Sequence, residues 1–502
     1  MKQRYLPFLL ILFLALTGNA QQITFSEPYR DDSQDMNFEI LGKIKGRLFI
    51  FKNVRWNYAV NIYNDSMVMT DNVELDFLPG KTFNADCIVY PDYFYLIYQY
   101  QRKGILYCMG AKIGADGRKM GDPLELDTTE VGVMGDNKIY STVCSDDRKQ
   151  IMVFKIQRRD DQAQFVTKLY NQDLQLQHQS RTSIPYEERR NDFGDFFTDN
   201  EGNFIFTLTE RKGNRENPSK LTLVKKARLT DSFLLKPVSI NQVYLDDIHT
   251  KVDNINKKYI INAFYYTEQA GNIKGIYNMI WDAAADTVYA AVFQEFGEDL
   301  RGIAKSSGTL KSAFNDFFIR NVTLKRDGSF ILTAEDQSSQ TTGVNNWNRF
   351  DYLYGNPYFS PYNYYMYSPY SFYRPFGTFG NQGTRYYNDN ILVMSVSRNG
   401  TPEWSNILHK QQFSDDNDNY LSYCTFNTAG ELHLLFNDIS KRNMFLTDNI
   451  IKSDGTTKRN PTLRTYEKGY QFMPRFAKQV GARQVIVPCT YRNRICFANI
   501  DF

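Results

Sequence analysis

Apolar and polar positions along this chain alternate in short runs that return at a regular interval. Each unit starts with an aromatic or small apolar run, passes through a brief Asp/Asn/Gly turn, and continues into an alternating or continuous apolar run. Phe196-Phe197-Thr198-Asp199-Asn200-Glu201-Gly202-Asn203-Phe204-Ile205-Phe206 is one copy, and Val322-Thr323-Leu324-Lys325-Arg326-Asp327-Gly328-Ser329-Phe330-Ile331-Leu332 is another. Cys424-Thr425-Phe426-Asn427-Thr428-Ala429-Gly430-Glu431-Leu432-His433-Leu434-Leu435 is a third. Runs of this length around turn residues predict β-hairpins. The turn falls near Gly46, Asp92, Arg148, Gly202, Lys257, Gly328, Gly430 and Gly481, at spacings of 46, 56, 54, 55, 71, 102 and 51 residues. A second hairpin is legible in each unit, such as Ile391–Val396 followed by Glu403–Leu408, with Asn399-Gly400 supplying residues that tolerate positive φ between them.

Four short strands in about fifty residues, repeated, is the period of one four-stranded propeller blade. The mature chain therefore resembles a β-propeller over its whole length, which implies an all-β fold of eight four-stranded blades, with seven as the alternative. It resembles no particular propeller family: the Gly-His and Trp-Asp pairs of WD40 blades and the Gly-Gly pairs of kelch blades are missing. After Gly481 only two strands remain, residues 484–489 and 495–502, so the last blade lacks a strand. Ile23-Thr24-Phe25 is placed to complete it, joining the ends of the ring and removing an exposed sheet edge. The one helical expectation of note is a short helix over residues 304–312.

The first twenty residues carry Lys2 and Arg4, an apolar run from Phe8 to Leu16, and Gly18-Asn19-Ala20 before a cleavage point. This predicts a secretory signal over residues 1–20 and a single propeller domain over 21–502. The run is too short to span a bilayer, no Cys follows the cleavage point, and no later segment approaches a membrane span. The expected location is periplasmic or extracellular. The signal followed by Gln21-Gln22, with the Tyr- and Asn-rich style of the chain, is similar to exported proteins of Bacteroidota-type bacteria. In an oxidising compartment the cysteines matter. Cys489 and Cys496 flank the turn Arg492-Asn493 at equal distances, a possible disulfide, whereas Cys87, Cys144 and Cys424 share a place on the strand before the repeated turn and read as small core residues.

The spacing of 102 hides an insertion at about residues 337–388 in the sixth blade. It is rich in Tyr, Asn and Pro and has no Lys; Pro and Asn break regular structure, so a long loop is expected. Trp347, Tyr352, Tyr354, Tyr358, Tyr362, Tyr364, Tyr365, Tyr367 and Tyr370 are the candidate contact residues, because Tyr offers a large amphipathic surface at low entropy cost. Two readings stand: a platform for an envelope protein or glycan, or a self-packed flap over one face of the ring.

Acidic residues cluster just before several inner strands, and Asp192, Asp247, Asp316 and Asp418 are the candidates for one channel mouth. A ring of carboxylates there would suit a polar ligand or a hard cation; Asp and Asn also open strands and turns on their own account. Residues 415–419 lack the Gly a calcium loop needs, Tyr420 standing in its place, and no Cys/His spacing suggests zinc, so neither metal nor cofactor is expected. The formal net charge of +3, from 59 basic and 56 acidic residues, leaves no footprint for nucleic acid. Of the four histidines, His178, His249, His409 and His433, the last reads as core, while His249 follows Asp246-Asp247 and stands to be oriented by a carboxylate. No nucleophile elbow, zincin helix or phosphate loop occurs. The function expected is a non-enzymatic binding or scaffolding module of the cell envelope. The alternative is a carbohydrate-active hydrolase or lyase using the acidic mouth.

Overall fold

The structure is a computed structural model. It describes residues 22–30, 36–131, 139–305, 308–341, 347–354, 383–415, 417–428, 430–440, 443–460, 463 and 469–502. The expected signal at residues 1–20 and the candidates Tyr358, Tyr362, Tyr364, Tyr365, Tyr367 and Tyr370 lie outside the described residues. Eight antiparallel sheets follow one another along the chain, each a four-stranded meander, and together they make an eight-bladed β-propeller. Blade 5 shows the plan: Tyr244–Asp253, Lys258–Tyr266, Gly275–Asp282 and Thr287–Glu295 pair in that order from channel to rim. In blades 4 and 8 the inner strand is broken into two short pieces that pair with the same second strand.

All eight turns used as a ruler join the first and second strands of a blade. Six of them, at Gly46, Arg148, Gly202, Lys257, Gly328 and Gly430, hold a residue at positive φ, which explains glycine at four of the six. The turns also bond sideways. Asn200 Oδ1 accepts the Asp147 N–H at 3.1 Å, and Asn254 Oδ1 accepts the Asn200 N–H at 2.8 Å. Asn254 Nδ2 in turn donates to Asp146 Oδ2 at 2.6 Å. The recurring Asp/Asn is thus a lateral clasp between blades 3, 4 and 5 as well as a turn former.

The core lies between blades. Ile260, Phe264 and Ile276 of blade 5 face Phe330, Leu332, Leu392 and Met394 of blade 6. Phe38 and Ile50 of blade 1 face Ile486 and Phe497 of blade 8, so the last sheet packs on the first. Each such side chain removed from water is worth about 1.5–3 kcal/mol. This explains why strands buried on both faces read as continuous apolar runs. The ring closes where expected: Gln22–Phe25 pairs with Arg494–Asp501 as the outer strand of blade 8, Ile23 opposite Ile500 and Phe25 opposite Ala498. Cys489 and Cys496 are cross-strand partners, buried, with sulfurs 3.0 Å apart as two thiols. Arg492 and Asn493 both take positive φ in the turn between them.

Two local expectations change. The short helix is Glu298–Ala304, ending where 304–312 would begin; Glu298 and Asp299 favour its first turn, and Gly308 at positive φ cannot continue it. The second and third strands of blade 6 pair onward from Gln337↔Asn388 to Thr341↔Thr384, so sheet reaches into the insertion from both ends. The insertion also holds a helix, Arg349–Tyr354, where only loop was expected.

One carboxyl in the inner strand of blade 1 makes the ring pH-sensitive. Burial raises the Glu39 pKa from 4.5 to about 7; Lys478 lowers it and Asp86 adds to the rise. A carboxyl with a raised folded pKa binds its proton more tightly in the native state, so stability falls as pH rises from about 4.5 through 7. The loss amounts to about 3 kcal/mol by linkage. Glu39→Gln is expected to flatten that fall, leaving the variant a few degrees more stable than the parent at pH 8 and no more stable at pH 4. Melting curves across this range check it.

Candidate functional site at the channel mouth

In a four-stranded meander the inner strand starts on the face where the second strand ends and the third begins. The insertion joins the second and third strands of blade 6, Phe330–Thr341 and Thr384–Val396, so it leaves the ring at the mouth where the inner strands start. Asp192 and Asp247 lie within inner strands, Asn191–Phe193 and Tyr244–Asp253, rather than before them, and Asp316 immediately precedes one. The insertion helix is started by Asn348, whose Oδ1 accepts the N–H groups of Phe350 at 2.8 Å and Asp351 at 3.3 Å.

Arg349 fills a socket made by the ring. Its Nε donates to Asp246 Oδ2 at 2.8 Å and its Nη2 to Asp246 Oδ1 at 3.0 Å, a fork-to-fork pair. Nη1 reaches the carbonyls of Asn315, at 3.3 Å, and Phe317. The guanidinium lies 4.2 Å from the Phe318 ring centre and 5.3 Å from that of Phe264. Tyr266 donates a further bond to Asp246 at 2.6 Å. The neighbours of Arg349 on the insertion are engaged as well. The Trp347 indole N–H donates to Asp316 Oδ1 at 2.9 Å. Tyr352 packs on Phe318 at 4.7 Å, with its phenol beside Arg320. Tyr354 and Phe350 lie under the guanidinium of Arg211, which is ion-paired to Asp192.

Three of the four acidic candidates therefore gather around this helix: Asp316 through Trp347, Asp192 through Arg211, and Asp247, whose Oδ2 is 4.0 Å from Arg349. Asp418, next to the inner strand of blade 7, pairs instead with Arg475 at 2.7 Å. Asp247 has φ +49 in a β-bulge of its strand, a conformation costly for a non-glycine residue. Its carboxylate accepts the Ile319 N–H and holds His249 Nε2 at 3.1 Å, while His249 Nδ1 faces Asp195 at 3.4 Å. Burial would lower the His249 pKa, but the carboxylates of Asp247 and Asp195 outweigh it and raise it to about 10, so both ring nitrogens carry protons at neutral pH. For Asp246 burial wins over Arg349 and the pKa is raised; for Asp247 the charge of His249 wins over burial and it is lowered. Within blade 6, Glu335 pairs with Lys410 at 2.9 Å and with Arg320 at 3.5 Å.

Each acidic candidate is thus matched to a cation or an N–H donor, and among the described residues no three His, Cys, Asp or Glu side chains are grouped to hold a metal. Such a mouth is built to hold the insertion. Reasoning from sequence overlooked Arg349 and Asp246 as partners. The available signal was an arginine beside Trp347 in a segment poor in charge.

No family model matches the chain, and no curated protein matches it. Among the described residues no helix is long and apolar enough to cross a membrane. Among solved structures the chain is similar to prolyl oligopeptidase B from Galerina marginata, at 10% identity over 94% of this chain and 56% of that one, with a TM-score of 0.39. It is similar to polysaccharide lyase Uly1 at 9% identity over 83% and 89% of the two chains, TM-score 0.40. A Synechocystis apocarotenoid oxygenase mutant gives 9% identity over 97% and 94%, TM-score 0.35. The chain spans a little over half the length of the prolyl oligopeptidases it matches. The ring has eight blades, and the helix Arg349–Tyr354 of the insertion is seated at its mouth.

Proposed function

We propose that this chain is an exported, non-enzymatic binding or scaffolding protein of the cell envelope, and that it holds a protein or glycan through the Tyr-rich insertion of blade 6. The observation that carries this reading is the Arg349 socket. It fixes the insertion at one end over the channel mouth, while paired strands fix it at both ends in blade 6, so the Tyr-rich segment that follows starts from a set point. A contact element held in place loses less entropy on binding. Replacing residues 343–382 by Asn-Gly keeps the Thr341↔Thr384 pair and is expected to leave the melting temperature of the ring within a few degrees. In crosslinking pull-downs from whole envelopes, the partner held by the full chain is expected to be lost. Retention of the same partner by the shortened chain refutes the role of the insertion.

The second reading, a carbohydrate-active hydrolase or lyase, is favoured by one observation: strained Asp247 holding His249 against Asp195. Arg349 of the insertion helix lies 4.0 Å from Asp247, so on this reading catalysis there requires the helix to leave. On this reading Arg349→Met raises cleavage of polysaccharide by the chain and His249→Ala abolishes it. On the first reading neither variant cleaves.

A further inference from the structure

A second cleft, of about 490 Å³, opens between blades 6 and 7 and shares no lining residue with the mouth beside the insertion helix. Its size falls in the range of small-molecule sites, about 300–1,000 Å³. The cations around it are already matched. Lys410 pairs with Glu335 at 2.9 Å, and Arg459 with Asp438 at 2.7 Å, so no cation is spare for an anionic ligand. No metal-holding group of three side chains exists among the described residues. What remains open are neutral donors and acceptors. Asn449 lines the cleft, is 5% exposed, and its side-chain amide has no hydrogen bond among the described residues. The amide opens onto the cleft, where a ligand hydroxyl can pair with it. His409 Nδ1 lies 3.2 Å from Asn390 Oδ1, and Asn390 is itself fixed because its Nδ2 donates to the Ala304 carbonyl at 3.2 Å. Asn390 Oδ1 thus takes up Nδ1, and Nε2 is left as the ring's second hydrogen-bonding atom. Asp389 accepts one backbone N–H, from Gln412 at 3.0 Å, and has further acceptor capacity.

A cleft with one free amide, one free imidazole nitrogen and one carboxylate, and with its cations already paired, suits adjacent hydroxyl groups. We propose that this cleft binds a neutral sugar, one or two rings in size, with Asn449, His409 and Asp389 contacting its hydroxyls. The site is independent of the insertion and of the partner it holds.

The test is saturation-transfer NMR on the full chain with glucose, galactose, mannose, cellobiose and lactose, and glucuronate as the anionic probe. Transfer to at least one neutral sugar is expected, with affinity about tenfold weaker in Asn449→Leu and in His409→Phe, the loss of one hydrogen bond to a buried partner. Asn449→Asp keeps the shape and removes the donor, and stands in if Asn449→Leu does not fold; it too is expected to weaken binding. The chain with residues 343–382 replaced is expected to bind as the parent does, which separates this site from the insertion. Transfer to none of the five neutral sugars, binding of glucuronate alone, or unchanged binding in the cleft variants overturns the proposal.

Discussion

Arg349→Met is expected to release the insertion helix while leaving the ring folded. The substitution keeps most of the side-chain length and removes the guanidinium, so the Asp246 carboxylate, 1% exposed, loses both arms of its fork. Removing one partner of a buried ion pair costs about 3–5 kcal/mol. A six-residue helix has almost no stability of its own. The lower-energy outcome is for the helix to lift and water to reach Asp246. Hydrogen exchange of the peptide spanning residues 347–354 should rise by two orders of magnitude or more, about 3 kcal/mol of lost protection. Peptides from the eight blades should exchange as before. Because Asp246 already has a raised pKa, losing Arg349 raises it further; the variant should regain protection as pH falls, when the carboxyl is neutral. Asp246→Asn combined with Arg349→Met removes the stranded charge and should cost less than Arg349→Met alone. Unchanged exchange over 347–354 in the single variant would show that Trp347, Tyr352 and Tyr354 hold the helix without the socket.

The sequence made the ring legible because each blade repeats the same local physics. The turn at Gly202 or Gly328 needs positive φ, the strands beside it are buried on both faces, and the missing strand after Gly481 is a question of pairing that Gln22–Phe25 answers. The mouth was legible only in part. Asp192, Asp247 and Asp316 were marked by their position before or early in inner strands, and the repeat itself supplies that position. Arg349 has no repeat to mark it: it lies more than a hundred residues from Asp246 and in a segment whose composition reads as loop. Only the fold brings the second-to-third-strand turn of blade 6 over the start of blade 5. The cleft between blades 6 and 7 is harder still, since Asn449 and His409 are ordinary strand and loop residues until two blades stand side by side.

The ring's own weak point is its closure, and removing residues 22–25 is expected to be the most damaging small deletion. Those four residues form four cross-strand pairs with Arg494–Asp501, and the following residues add Ser26 N–H to the Phe497 carbonyl at 2.8 Å and Tyr29 N–H to the Ile495 carbonyl at 2.9 Å. Phe25 also stacks on Tyr470 at 4.1 Å, tying the outermost strand of blade 8 to its innermost. At about 1 kcal/mol net per backbone bond, closure is worth on the order of 5 kcal/mol before side-chain packing is added. Deletion strips one edge of Arg494–Asp501, a strand whose Ile495, Phe497 and Ile500 are fully buried, and an exposed apolar edge pairs with other chains. The expected result is a fall in melting temperature of about 10 °C, with light scattering rising as the transition begins. A peptide of residues 22–29 added in trans should restore part of the loss by filling the vacated edge. This contrasts with replacing residues 343–382, whose described part, residues 347–354, is seated on the channel mouth; that change should leave the melting temperature within a few degrees. If the two changes destabilised the chain equally, the insertion would have to be part of the ring's core rather than an element seated on it.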